Sequence, residues 1–378
     1  MRVLIATATA GAGHLQAAAA LREAWEELRP HDELRVVDVL DFTSKLYKKI
    51  YSEGYLKVVE HVPELYAVVF RTSDNPVLKQ AFHPFRKVFS QATARKFLKY
   101  MNRFRPAALI CPHFLPVELV RDFRKSIRGR FPLVVCVVTD FRAHAFWVEP
   151  GVDLYCVAAE ETKQDLTTKG VAPERVRVTG IPVSARFRKR SPQASIRKQL
   201  QLDDRIPTLL VLSGGFGVGP VGEILHLLDS LKQPLQILVV TGRNEKLKKE
   251  LEDRNYIHPT TVFGFVKNME DLMSVSDLII TKAGGLTVSE ALTLGKPLVI
   301  VNPIPGQESA NCNLLRKRGA AVEIRSIRNL PRQIRNLLRD ERLKAMKRAS
   351  ASIGRSHAAI DICRETLRLL SSTSRHRK

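Results

Sequence analysis

The chain has 378 residues, 44% of them hydrophobic and 26% charged, and 61 Lys and Arg against 38 Asp and Glu give it a formal net charge of +23. This composition excludes disorder for the bulk of the chain and suits two hydrophobic cores better than one. Five cysteines without C-x-x-C spacing (Cys111, Cys136, Cys156, Cys312, Cys363) argue against a disulfide framework or a zinc site and fit a reducing cytosol. In chain order, residues 2–8 are predicted as an apolar strand, Gly11-Ala12-Gly13 as a turn, and 14–28 as an Ala-rich helix closed by Pro30. No basic n-region precedes this strand, so no signal peptide is expected. Residues 34–39 make a second strand, and the chain therefore opens as a βαβ unit. The apolar runs 107–111, 133–139 and 154–158 lack alternation, as parallel strands buried on both faces do. Residues 181–202 are polar, basic and Pro/Ser-containing, and read as a linker. The pattern then restarts with strands at 208–212, 235–241, 261–263, 278–281 and 297–301, each running into a glycine- or proline-bearing turn. Two such halves imply two Rossmann-like, doubly wound α/β domains facing a cleft. Residues 336–370 read as helix and 371–378 as a frayed basic tail. No apolar run approaches the roughly 20 residues that cross a bilayer.

The charge is concentrated. Residues 42–131 carry a net +12 and residues 312–378 a net +13, so the remaining chain is near neutral. A field of that size draws polyanions, either nucleic acid or anionic lipid. Residues 42–104 also hold 12 of the 25 aromatic residues. Tyr47, Tyr51 and Tyr55 recur beside Lys48, Lys49 and Lys57, and Phe82, Phe85 and Phe89 beside Arg86 and Lys87. Basic helices with aromatic faces suit a membrane interface, whereas the plainer reading makes the aromatics core and the Lys/Arg a solvated rim.

Three turns can carry chemistry. Gly13-His14 opens the first helix at the carboxyl edge of the sheet, where backbone amides and a histidine with a pKa near working pH suit an anion or a general base. It is not a G-x-G-x-x-G turn, so a dinucleotide site is not indicated. Lys282-Ala283-Gly284-Gly285-Leu286-Thr287 repeats the arrangement in the second half, with a helix dipole suited to a diphosphate. Glu290 follows on that helix as a candidate for ribose hydroxyls, or else as a plain solvated residue. Residues 303–311 (PIPGQESAN) close with Gln307, Glu308 and Asn311, a set suited to sugar hydroxyls, or else a turn and helix cap. No Asp-x-Asp metal motif is present, and no metal or cofactor is expected.

Here the sequence resembles a family. VLIATATAGAGHLQAAAAL and VVTDFRAHAFWVEPGVDLYCVAAEETKQDL, ending in VTGIPV, are similar to the monogalactosyldiacylglycerol synthase and processive diacylglycerol glucosyltransferase family. SGGFGVGP, FGFVKNMEDLMSVSDLIITKAGGLTVSEAL and IPGQESANCNLLRKRGAAV resemble the C-terminal domain of family 28 glycosyltransferases. The resemblance covers residues 2–322 and implies a GT-B, inverting, metal-independent transferase that moves glucose or galactose from a UDP-sugar to diacylglycerol. It implies His14 as the base for the acceptor hydroxyl and Asp140 near the acceptor. His113, His144 and Trp147 are implied on the acceptor side. For the UDP-sugar it implies Gly13, Gly214, Gly215 and Phe216; Gly264, Phe265 and Val266 around uracil; Lys282, Gly284, Gly285, Leu286 and Thr287 at the diphosphate; Glu290 at ribose; and Gln307 and Glu308 at the sugar. The expected domains are 1–185 for the acceptor, 186–205 as linker, 206–350 for the donor, and 351–378 as a helix and tail that returns to the first domain. The expected partners are diacylglycerol and anionic lipids, not nucleic acid, with the protein cytoplasmic and peripheral on the inner face of the cell membrane. A peptidoglycan-type GlcNAc transferase, a sugar-nucleotide epimerase and a basic nucleic-acid-binding protein stand as alternatives.

Overall fold

The computed structural model describes residues 1–9, 12–44, 48, 68, 72–74, 83–121, 131–189, 191–214, 219–339 and 341–375, with the backbone alone for 12, 83–93 and 373–375. The chain divides into two compact units. One comprises Met1–Ala185, Pro305–Gln307 and His357–Lys378; the other comprises Arg186–Ile304 and Glu308–Ser356.

The first unit is built on six parallel strands, β1 (Arg2–Thr7), β2 (Glu33–Asp38), β3 (Ala108–Cys111), β4 (Leu133–Val137), β5 (Leu154–Val157) and β6 (Val176–Val178), in the order β2-β1-β3-β4-β5-β6. Its inner strands bury both faces. Leu4, Leu109 and Cys136 join one apolar cluster, while Val3, Ile5, Ile110 and Val135 join another on the opposite face. Helix Ala12–Leu28 covers the second face. Its alanines favour the helix, and Ala17, Ala18, Leu21, Ala24 and Trp25 fall on one buried stripe at helical spacing. Helix Ala358–Arg375 packs beside it through Ala359, Ile362 and Cys363.

Helix His83–Phe104 lies on the other face and turns Ala94, Phe97, Leu98, Met101 and Phe104 inward. Phe42 stands 5.5 Å from both Phe97 and Tyr100, so these aromatics are core. Arg95, Lys96, Lys99 and Arg103 face out. Tyr47, Tyr51, Tyr55 and Phe82 lie outside the described residues, as do the side chains of Phe85 and Phe89.

The second unit repeats the plan with β7 (Thr208–Leu212), β8 (Gln236–Val240), β9 (Thr260–Phe263), β10 (Leu278–Thr281), β11 (Leu298–Val301) and β12 (Ala321–Ile324), in the order β12-β11-β10-β7-β8-β9. Both sheets are doubly wound. Strand order reverses between β1 and β3 in the first and between β7 and β10 in the second, and ligands of such sheets bind beyond the carboxyl ends at that reversal.

The structure corrects four expectations. β6 and β12 were not expected as strands, because each is short, only partly buried, and carries Arg177 or Glu323 where a buried strand would be apolar. Residues 181–202 contain a short 3-10 turn, Ala185–Phe187, and helix Gln193–Gln199. The stretch 336–370 is not one helix but parts of Leu330–Arg339, Glu341–Ile353 and Ala358–Arg375. The last of these continues through the expected tail to Arg375.

The break before it at Gly354 has a packing cause: a Cβ there would sit 2.2 Å from the carbonyl oxygen of Leu292. Gly354→Ala is therefore expected to lower stability by about 1–3 kcal/mol. Urea unfolding measures this, and an unchanged midpoint would contradict the close approach.

Candidate functional site

In the first unit, residues beyond β1, β3 and β4 gather around one imidazole. His14 occupies the first turn of helix Ala12–Leu28, with Gly13 before it. Its Nδ1 lies 2.9 Å from the Pro112 carbonyl oxygen and 3.1 Å from Thr139 Oγ1. A carbonyl only accepts, so Nδ1 carries the proton and donates to Pro112. That leaves the Nε2 lone pair as the basic site. Burial pushes the His14 pKa below 6.5, outweighing the bond to Pro112, which raises it. The ring is therefore a neutral base at physiological pH.

His113 meets His14 edge to face at 4.5 Å and is 2% exposed. Its Nδ1 accepts from the Leu115 amide at 3.0 Å, which makes Nε2 its proton-bearing atom when neutral. Trp147 stands 6.5 Å from both histidines and packs edge-on against Phe114 at 5.8 Å. Asp140 directly follows Thr139 and keeps part of its surface exposed.

The loop carrying these residues is held from outside. Asp165 takes two bonds from Arg142, at 2.6 and 2.7 Å, and one from the Ala143 amide at 3.0 Å. His144 is turned elsewhere. It accepts from the Phe146 amide through Nδ1 at 3.1 Å, and its Nε2 faces Ser73 at 3.5 Å and Asp74 at 3.9 Å. His14, His113 and Trp147 are thus brought together, while His144 caps a turn. Thr139 is a contact that the sequence did not single out; it was visible only as a member of the Thr139-Asp140-Phe141 string.

In the second unit, the loops after β7 and β10 flank the strand-order reversal. Gly214 (φ +78°) and Gly219 (φ +140°) both use backbone conformations that favour glycine. The Lys282 Cε lies 3.5 Å from the point where a Cβ on Gly219 would sit. Gly215 and Phe216 lie outside the described residues. Helix Gly285–Thr293 starts from Gly284, which has no side chain to cap it. Its first amides and dipole are therefore available to an anion. Leu286 is buried and Thr287 half-buried in its first turn.

Glu290, one turn further, is desolvated and lies near the Glu270 carboxylate; the two effects push its pKa up to about 8. A carboxyl held in that state gains from hydroxyl donors that stabilise its charge. Beyond β9, Gly264 closely faces the Glu245 and Lys248 side chains, and Val266 is half-buried. Phe265 is 54% exposed, with the Arg243 guanidinium 5.6 Å over its ring. Arg243 was not singled out in the sequence.

Gln307 begins helix Gln307–Lys317. Glu308 is 8% exposed, and its Oε2 accepts from the Ile304 amide at 2.9 Å. Asn311 is turned into the protein. It is 0% exposed and donates to the Ala283 carbonyl at 3.0 Å. Among the described residues, no group of three His, Cys, Asp or Glu side chains is placed to hold a metal ion.

Residues 14–183 match the model of monogalactosyldiacylglycerol (MGDG) synthase, and residues 221–362 match the glycosyltransferase family 28 C-terminal domain. The chain is 31% identical over 364 residues to a processive diacylglycerol beta-glucosyltransferase of Bacillus pumilus, spanning 95% of this chain and 92% of that protein. It is 32% identical over 377 residues to the protein of the same name from Bacillus mycoides, spanning 95% and 91%. Among solved structures, Acinetobacter baumannii MurG aligns with a TM-score of 0.63 at 16% identity over 97% of this chain and 99% of that one. Anabaena Alr3699/HepE, in complex with UDP-glucose, aligns with 0.59 at 13% identity over 98% and 100%. These structural likenesses speak to the two-domain fold alone.

The geometry around His14 makes a measurable prediction. Its imidazole titrates below the ordinary value of 6.5, so the neutral form persists as pH falls through that value. NMR titration of ring-labelled histidine, assigned with His14→Ala, measures this; a value above 6.5 would contradict the burial argument.

Proposed function

The chain belongs to the monogalactosyldiacylglycerol synthase and processive diacylglycerol glucosyltransferase family of family 28 glycosyltransferases, and from that premise we propose that His14 is the base of its transfer reaction. The enzyme is a UDP-sugar-dependent hexosyltransferase that makes a glycolipid on diacylglycerol. The observation that carries the assignment of His14 is its fixed tautomer: Nδ1–H bound to Pro112, and Nε2 left basic at the reversal between β1 and β3.

In this reading the second unit holds the donor. The diphosphate lies on the amides that open helix Gly285–Thr293, beside Lys282, where the helix dipole offsets its charge. Glu290 accepts from the ribose hydroxyls, and the uracil lies near Gly264, Phe265 and Val266. Gly214, Gly215, Phe216, Gln307 and Glu308 serve the sugar. The acceptor hydroxyl approaches His14, with His113 and Trp147 lining its path and Asp140 close by.

As the hydroxyl oxygen bonds to the anomeric carbon, its proton passes to His14 Nε2. The bond from that carbon to the phosphate oxygen breaks, and UDP leaves with the electron pair. Attack from the face opposite UDP converts the α-linked donor sugar into a β-linked glycolipid. We assign glucose as the sugar, following the names of the Bacillus relatives; galactose is the competing arm of the assay. The same relatives, at about 30% identity over nearly the whole chain, favour diacylglycerol over a peptidoglycan precursor.

The enzyme works at the cytoplasmic membrane face in this reading. Arg95, Lys96, Lys99 and Arg103 are exposed along helix His83–Phe104. Each basic residue near an anionic leaflet contributes on the order of 1 kcal/mol, so a few contacts suffice for reversible docking.

One assay tests the whole reading: diacylglycerol in anionic or neutral vesicles, with radiolabelled UDP-glucose or UDP-galactose. Labelled lipid is expected from UDP-glucose, faster on anionic vesicles and slower at high salt. In His14→Ala, turnover is expected to fall by roughly 10²–10⁴ while UDP binding is retained. Wild-type turnover in that variant would remove His14 from the mechanism, and equal rates on both vesicle types would remove the electrostatic docking.

A further inference from the structure

In the turn proposed above for the diphosphate, the peptide planes after Gly284 are held by the helix itself: the Val288 amide donates to the Gly284 carbonyl at 3.0 Å and Ser289 Oγ to the Gly285 carbonyl at 2.8 Å. Gly284 supplies no side-chain cap, and the two glycines permit many backbone conformations. What fixes the Ala283–Gly284 plane comes from another element. Asn311, one turn into helix Gln307–Lys317, is fully buried and donates from Nδ2 to the Ala283 carbonyl oxygen at 3.0 Å. Ala283 is itself fully buried.

A trans peptide is planar, with its C=O and N–H pointing in opposite directions. Holding the Ala283 carbonyl toward Asn311 therefore directs the Gly284 N–H away from helix Gln307–Lys317. Glu308, three residues earlier on the same helix, lies beside the turn. One of its oxygens accepts from the Ile304 amide, and the other lies 3.8 Å from where a Cβ on Gly284 would sit. The sequence pattern Gln307-Glu308-x-x-Asn311 thus contains a backbone clamp beside the proposed sugar contacts.

We propose that Asn311 is the positioning residue of the diphosphate turn. By gripping the Ala283 carbonyl, it aims the Gly284 amide at the phosphates of the donor, in line with the helix amides after it. The inference rests on the reading that the second unit binds a UDP-sugar. It adds a residue that touches no substrate and selects for the phosphates rather than for uridine.

The test compares UDP with uridine, which lacks the phosphates, by calorimetry on the full chain. In Asn311→Ala and in the near-isosteric Asn311→Asp, which loses the amide donor, UDP affinity is expected to fall about tenfold or more, as when a buried acceptor loses its partner. Uridine affinity should stay within about twofold, and melting curves report whether each variant folds. A companion measurement needs no variant: in the wild type, UDP and not uridine should slow amide hydrogen exchange across residues 282–287. An unchanged ratio of UDP to uridine affinity in a folded variant overturns the role of Asn311, as does equal protection of that turn by both ligands. Failure of the wild type to bind UDP would instead overturn the donor-site reading.

Discussion

A parallel strand buried on both faces can offer polar chemistry only beyond its carboxyl end. That constraint organises this enzyme. β1, β3, β7 and β10 are apolar throughout or nearly so, and residues proposed to do chemistry lie in the turns that follow: His14 after β1, His113 after β3, and Lys282 and Gly284 after β10. Each sheet reverses its strand order there, which splays the following loops apart and leaves room for a ligand.

The two ends use that room differently. In the first unit the loop residues converge on one imidazole and lower its pKa by burial, so the ring is neutral with a defined basic atom. In the second, the loops present backbone amides and a helix dipole, with a desolvated carboxyl at Glu290 further along the helix. Fixed partial charges are well matched to a diphosphate, because they need no reorganisation as negative charge builds on the departing UDP.

The fold was legible where burial is two-sided. Residues 208–212 and 278–281 are uninterrupted apolar runs, and both are strands with those bounds. It was not legible at β6 and β12, two of the four edge strands, where Arg177 and Glu323 break the pattern, nor at Gly354, whose role depends on a carbonyl 62 residues earlier in the chain. The same distinction runs through the site. The glycines and His14 stood out as residue types in a turn. The tautomer of His14 depends on Pro112 and Thr139, which only the folded sheet brings near. Asn311 looked like a sugar contact because its amide suits hydroxyls, and its burial against Ala283 is a tertiary fact. His144 was implied only by the family resemblance; its local capping of a turn and its approach to Asp74 are visible only in the fold.

The central claim is a single displacement in which a neutral histidine takes the acceptor proton while the hydroxyl attacks opposite UDP. Its most direct test is the anomeric configuration of the glycolipid formed from an α-linked UDP-hexose and diacylglycerol, read from the proton coupling between the first two ring carbons of the product sugar. The large coupling of a β-linkage is the predicted result. The small coupling of an α-linkage would mean retention, and would contradict the mechanism at its core.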